Sequence, residues 1–230
     1  MKIIKLWDIP TRLFHWLLVV AIVALFITGI LGGNAIVWHG RLGILVVGLV
    51  TFRVVWGFVG STYARFRQFV PGPASIAAYL KGSWHGPGHN PLGAFSVLAL
   101  LALVTFQAIS GLFTNDEISF SGPLYRLVDP ELSLTLTSYH RVLAYVLLAF
   151  VGLHVASIVF YAIVKKDFLL IPMITGMKQV EAGESYRGGG IAPFLLALAI
   201  AAGAIYAASG LWAPEPPAPS AAEPVPAFDF

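Results

Sequence analysis

Cysteine is absent from this 230-residue chain. That excludes disulfides, thiolate zinc sites, cysteine-ligated iron–sulfur clusters and covalent haem attachment through a C-x-x-C-H motif. Charge is scarce as well. Asp, Glu, Lys and Arg make up 11% of the chain, against about 25% in a soluble domain. With 58% hydrophobic residues and a mean hydropathy of +0.83, the chain cannot cover a water-facing surface. It is read as an integral membrane protein in contact with lipid. The excess of 14 basic over 11 acidic residues is small. It fits membrane orientation and not a nucleic-acid patch.

What is present is a set of long apolar runs. Five reach the roughly 20 residues needed to cross a bilayer as a helix: 13–31, 42–60, 92–113, 142–164 and 191–212. None alternates with a period of two, so the expected fold is all-α, a bundle of membrane helices. Helix four is expected to start near Tyr139. No A-x-A-like cleavage site follows the first run, which is expected to be a retained helix. Lys2, Lys5, Arg12, Arg65, Arg67, Lys81, Lys165, Lys166, Lys178 and Arg187 fall on one side of these spans. Only Arg41, Arg126 and Arg141 fall on the other, and Arg53 lies within helix two. The positive-inside rule then predicts a cytoplasmic N-terminus and an extracytoplasmic C-terminus. Within the Gly/Pro-rich stretch between helices two and three, SIAAYL is expected to form a short interfacial helix. Residues 114–138 are expected to form an outer cap.

No Asp or Glu lies inside the spans, yet four of the six histidines lie in or at the ends of helices one, two and four. Ionisable groups inside a membrane are costly and usually functional. Helix one runs inward to outward, so His15 is near the inner face. Helices two and four start outside, so His39 and His140 are near the outer face. His154 lies 14 residues beyond His140, about 21 Å deeper and on nearly the same helix face. The result is an outer pair, His39 with His140, and an inner pair, His15 with His154. The inner match in depth is looser.

Two imidazoles from separate helices, with no carboxylate beside them, suit the axial positions of a haem iron. A zinc site would want three or four protein ligands. Met173 and Met177 lie outside the spans, which leaves bis-histidine b haem as the simplest reading. Arg41 and Arg141 follow the outer histidines, while Arg12 and Arg53 lie near the inner pair. Arg12, Arg41 and Arg141 suit either headgroup anchoring or a haem propionate. Arg53, a cation inside a span, calls for a propionate or another buried acceptor. Gly29, Gly43, Gly48 and Gly152 would allow close approach of a ring or a helix, or serve as ordinary small residues of membrane helices.

Four pieces of the chain resemble the bacterial cytochrome b561 superfamily, which includes the b-type cytochrome subunits of nickel–iron hydrogenases. They are WDIPTRLFHW, WHGRLG, GHNPLG and YHRVLAYVLLAFVGLHV, within residues 5–170. The resemblance implies four helices holding two b haems near opposite faces. His15 and His154 would bind the inner haem, and His39 and His140 the outer one. His85 and His89 match the family's loop but are not haem ligands there, and are expected to be structural or solvated. Residues 1–170 would form the dihaem domain. Residues 171–212 would form an inner connector and fifth helix, and 213–230 a disordered, acidic Pro/Ala-rich tail.

The expected function is electron transfer across the bacterial cytoplasmic membrane, between an extracytoplasmic c-type cytochrome or hydrogenase-like enzyme and the quinone pool. A stand-alone superoxide or quinone oxidoreductase is the alternative of a different class. A proton-relaying transporter is disfavoured by the lack of acidic residues in the spans and of an inverted repeat. No quinone-site residue stands out.

Overall fold

A computed structural model of the chain describes residues 2–86, 88–118, 120–180 and 186–213. The tail expected to be disordered thus lies almost wholly outside the described residues. Among these residues, five helices are long and apolar enough to cross a membrane.

Three of them begin in the same way. Helix α1 (Ile9–Leu31) starts at Asp8, whose carboxylate accepts from Thr11 N–H at 2.8 Å, with Pro10 in the first turn. Helix α5 (Pro91–Gly111) starts at Asn90, which accepts from Gly93 N–H at 2.7 Å. Helix α6 (Pro130–Phe160) starts at Asp129, which accepts from Leu132 N–H at 2.9 Å. A side-chain acceptor satisfies an orphan N–H of the first turn, and proline costs nothing where no N–H partner exists. Between α1 and helix α2 (Ile36–Val59) the chain reverses through Gly32 and Gly33, at φ +61° and +51°. Such left-handed positions suit glycine, which has no Cβ to clash.

Helix α6 begins well before the expected Tyr139, at Pro130. Its first residues, PELSLTLTS, carry too many polar side chains to register as a hydrophobic run. The cap over the outer end is therefore shorter than residues 114–138. SIAAYL does lie in a short helix, α4 (Pro73–Leu80), preceded by the single turn α3 (Phe66–Phe69). After α6 come one turn of π-helix at Tyr161–Lys165, the short helix α7 (Leu170–Thr175) and helix α8 (Ile191–Ser209).

Strand β1 (Lys2–Lys5) pairs antiparallel with β2 (Met177–Val180), from Lys2 opposite Val180 to Lys5 opposite Met177. This places the N-terminus and the segment after α6 at one end of the bundle, as the four intervening spans require. That end is called inner below. Trp16 Nε1 donates to Met173 O at 3.3 Å across the same end.

Hydroxyls within the spans are absorbed locally. Thr28, Thr105 and Ser157 donate to the carbonyls of Ala24, Leu101 and Leu153 one turn back. Helix α2 is central. It packs on α1, α5 and, most extensively, α8. Small residues permit the last contact: Ala197 and Ala201 of α8 are buried, and Gly48 abuts Ile205 so closely that a Cβ would lie 2.5 Å from it. Helix α6, in contrast, packs extensively on α5 alone among the long helices, and stands off from α1 and α2. At mid-depth Ala21, Val46, Val50, Val104 and Leu147 fill the gap. At the outer end it opens into a cavity, and there His39 and His140 lie.

Candidate functional site

At the outer end, His39 on α2 and His140 on α6 face each other across the gap, their ring centroids 6.1 Å apart. Each ring is pinned through Nδ1 to a neighbouring helix. His39 Nδ1 lies 3.0 Å from Leu25 O on α1, and a carbonyl can only accept, so Nδ1 carries the proton. His140 Nδ1 lies 3.1 Å from Ser110 Oγ on α5. Ser110 donates its own proton to Gln107 O at 3.3 Å, so its oxygen accepts from His140. Both Nε2 atoms keep their lone pairs. This is the arrangement that orients an imidazole to bind a metal.

Each ring also rests against a glycine. A Cβ at Gly29 would lie 3.2 Å from His39, and one at Gly111 would lie 3.1 Å from His140. The pair lines a cavity of about 530 Å³, within the range of small-molecule sites. Its walls are mostly apolar, from α1, α2, α5 and α6, with Gly43 leaving room on the α2 side. Phe120 and Pro123 of the outer cap lie over it. Two imidazoles bonded to one iron through Nε2 would have centroids about 6 Å apart, for metal–nitrogen bonds near 2 Å. The residues present therefore fit a haem. Among the described residues, no three His, Asp or Glu side chains converge as a metal-ion site.

At the inner end, His15 lies six residues inside α1 and His154 six residues before the end of α6. Counted from the helix ends, the two lie at equal depth. The two rings are close enough for a charge on one to act on the other. His15 meets Trp16 edge-on at 5.1 Å. His15 Nδ1 is buried and has no hydrogen-bond partner among the described residues, and the same holds for Arg12 Nε, Arg53 Nη1, Arg65 Nε and His89 Nδ1. Five nitrogens without acceptors make this end suited to an anionic group.

The four arginines separate. Arg53 is buried, with its guanidinium 5.1 Å from the Phe66 ring centroid and 5.8 Å from that of Phe69. Arg12 lies against Gly176, at φ +83°, where a Cβ would come within 2.6 Å of Nη1. Arg141 lines the outer cavity, whereas Arg41 stacks on the exposed Trp38 ring at 5.0 Å and is not part of the lining. Gly29 and Gly43 serve the cavity and Gly48 serves α8. Gly152 has nothing near it.

Several residues of these ends carry no obvious mark in the sequence. Asp8 is buried. Besides capping α1 it accepts from Trp56 Nε1 at 2.9 Å, and its charge acts on Arg53. It also adds to burial in pushing up the Tyr186 phenol. The one signal for Asp8 is the Asp-x-Pro helix start. His85 is exposed and bonds Ser83 O, as a loop histidine would. His89 is partly buried, with its Nδ1 enclosed. Its ring packs on Trp7 at 4.8 Å and Phe69 at 5.2 Å. Burial, with Arg53, His154 and Lys178 nearby, pushes its pKa down to about 4. Tyr161 continues the spacing of seven from His140 through Leu147 and His154. It accepts from Asn90 Nδ2 and lies 3.4 Å from the Tyr79 hydroxyl.

The family of prokaryotic cytochrome b561 matches residues 6–176. A relative from Azotobacter vinelandii, named "Probable Ni/Fe-hydrogenase B-type cytochrome subunit", is 26% identical over 216 residues, covering 77% of this chain and 89% of its own. The corresponding hydrogenase 1 subunit of Escherichia coli K12 is 22% identical over 221 residues, covering 77% and 92%. One from Rhizobium leguminosarum bv. viciae is 25% identical over 211 residues, covering 75% and 87%. No solved structure matches. Helix α8 lies beyond the matched residues, on the side of α2 that packs away from the histidines. The chain thus belongs to the prokaryotic cytochrome b561 family: it is a multi-pass membrane b-type cytochrome, an electron carrier whose cofactor is haem b.

Proposed function

We propose that this chain holds two b haems, each between two histidines, and carries electrons across the bacterial cytoplasmic membrane. His39 and His140 would hold the outer haem, His15 and His154 the inner one. The observation that carries the reading is the outer pair: two imidazoles 6.1 Å apart, each with Nδ1 engaged and Nε2 free, on one apolar cavity.

Haem supplies the reversible one-electron chemistry. The chain's own residues do the rest. Leu25 O and Ser110 Oγ fix the tautomers of the outer ligands. Arg141, which lines the outer cavity, would meet an outer propionate, and Arg53 and Arg12, with unpartnered nitrogens, an inner one. The layer of Ala21, Val46, Val50, Val104 and Leu147 keeps water and protons out between the two ends. Electrons would pass between an extracytoplasmic redox protein and the quinone pool; the partner would be a c-type cytochrome or a hydrogenase-like enzyme, the latter in line with the relatives' names. The count of ten basic residues on the inner side against three outside supports a cytoplasmic N-terminus and an extracytoplasmic C-terminus.

Haem extraction and a reduced-minus-oxidised spectrum test this. Close to two haems per chain are expected. His39→Ala and His140→Ala should each remove the same haem and leave the other. One haem per chain, or loss of different haems in the two variants, would overturn the pairing.

A further inference from the structure

The inner end holds a histidine that axial ligation does not use. His89 sits one residue before the Asn90 cap of α5, in a loop rather than a span. Trp7 and Phe69 hold its ring from two sides. The Phe69 ring that packs on His89 also lies under the Arg53 guanidinium, so His89 and Arg53 share one aromatic support. Both His154 and Arg53 lie close enough to act on it electrostatically.

Among the described residues, this corner has donors that no acceptor reaches. His89 Nδ1, Arg53 Nη1 and Arg12 Nε are all buried without a partner among the described residues. The carboxylates nearby are engaged. Asp8 accepts from Thr11 N and Trp56 Nε1, and Asp167 pairs with Lys178 at 3.0 Å. Buried polar groups are nearly always bonded, so the missing partner should be an acceptor brought by a bound group. A carboxylate offers about four lone-pair positions.

We propose that His89 is a binding residue of the inner haem, donating a hydrogen bond to the propionate that Arg53 and Arg12 also hold. This rests on the dihaem reading above. It goes beyond that reading by adding a neutral donor from the loop to the cationic ones from the helices. Residues 88–90 would then fold down onto the inner haem edge through His89, with Asn90 anchoring them to α5.

Two substitutions separate the hydrogen bond from the packing. His89→Phe keeps an aromatic ring between Trp7 and Phe69 but removes the donor. His89→Gln keeps a donor. Redox titration of the purified, haem-loaded full chain should show two steps, and His15→Ala identifies the inner one by its loss. In His89→Phe the inner step should move to lower potential, because a propionate that loses a donor leaves the haem more electron-rich. The outer step should stay in place, and His89→Gln should remain near wild type. Unmoved potentials in His89→Phe would overturn the proposal, as would equal shifts in Phe and Gln variants. So would a change confined to the KM for a soluble quinol, which would assign the ring to a quinone. A wild-type chain with a single step would instead overturn the dihaem reading itself.

Discussion

The two ends of the bundle are built on different principles. At the outer end the protein completes the Nδ1 bonding of its own imidazoles. Each imidazole is pinned by a backbone carbonyl or a serine and seated on a glycine, and the cavity is shaped before anything enters it. At the inner end the polar atoms are collected but not satisfied. His15 Nδ1, Arg12 Nε, Arg53 Nη1 and His89 Nδ1 have no acceptors among the described residues. The outer end is thus preorganised to receive a metal between two rings. On the dihaem proposal, the carboxylates of an inner haem would complete the hydrogen bonding of the inner end.

The largest test of that contrast removes a ligand and offers a replacement. His140→Gly should lose the outer haem, and added imidazole should restore it, because His39 stays fixed by Leu25 O and the cavity walls remain. His15→Gly should lose the inner haem with little or no recovery, since among the described residues the inner polar atoms lack the bonds that fix the outer rings. The absorbance of the reduced haem, followed against imidazole concentration, reads both. Equal recovery at the two ends would erase the distinction.

Charge removal comes next. Arg53→Leu strips the buried cation from the inner end, and should cost much of the inner haem while sparing the outer one. Arg141→Leu should lower the outer potential without loss of haem, since Arg141 is exposed at the cavity rim. Arg41→Leu should change neither, because Arg41 stacks on Trp38 away from the lining. Haem content and redox titration of the three variants rank them. An Arg41 effect as large as that of Arg53 would show that the cavity lining is a poor guide to the propionates.

Part of this arrangement is legible in the chain and part is not. Depth follows from helix direction and a rise of about 1.5 Å per residue, so residue counting alone sets His39 and His140 at one level. Helix four's 14-residue spacing puts its two histidines on one face for the same reason. Tyr161, seven residues past His154, falls on that face by the same rule, but its bonds to Asn90 and Tyr79 leave no trace in the spacing. The partners of Nδ1 are equally hidden. Ser110 lies on α5, and only the packing of α5 on α6 brings it to His140. Pairing of β1 with β2 joins the two segments that flank the matched region and has no periodic signature. Arg41 and Arg141 each sit close behind an outer histidine, yet only Arg141 enters the cavity lining.

Glycine replacements probe the outer end more gently. Gly111→Ala and Gly29→Ala put a methyl 3.1 and 3.2 Å from the ligand rings, tighter than ordinary contact. Each ring must tilt by a few tenths of an ångström. The expected result is a broadened or shifted outer-haem signal in the electron paramagnetic resonance spectrum, with the inner signal unchanged. Gly152→Ala, with nothing within 4 Å, is the control and should be silent.

The smallest effect is expected from Ser110→Ala. The hydroxyl accepts from His140 Nδ1 and passes its own proton to Gln107 O. A hydrogen-bonded Nδ1–H makes the imidazole a stronger donor to its metal, and losing such a partner usually costs affinity. Here a substitute stands by. The Gln107 carbonyl lies close enough to act on the His140 ring, and the substitution frees it from Ser110. The ring should keep its tautomer on a longer, weaker bond. The outer potential should therefore rise slightly, with two haems retained and the inner potential unmoved. Loss of the outer haem on the scale of His140→Gly would mean that Ser110 alone holds the ligand, and that this end is less preorganised than its two pinned rings imply.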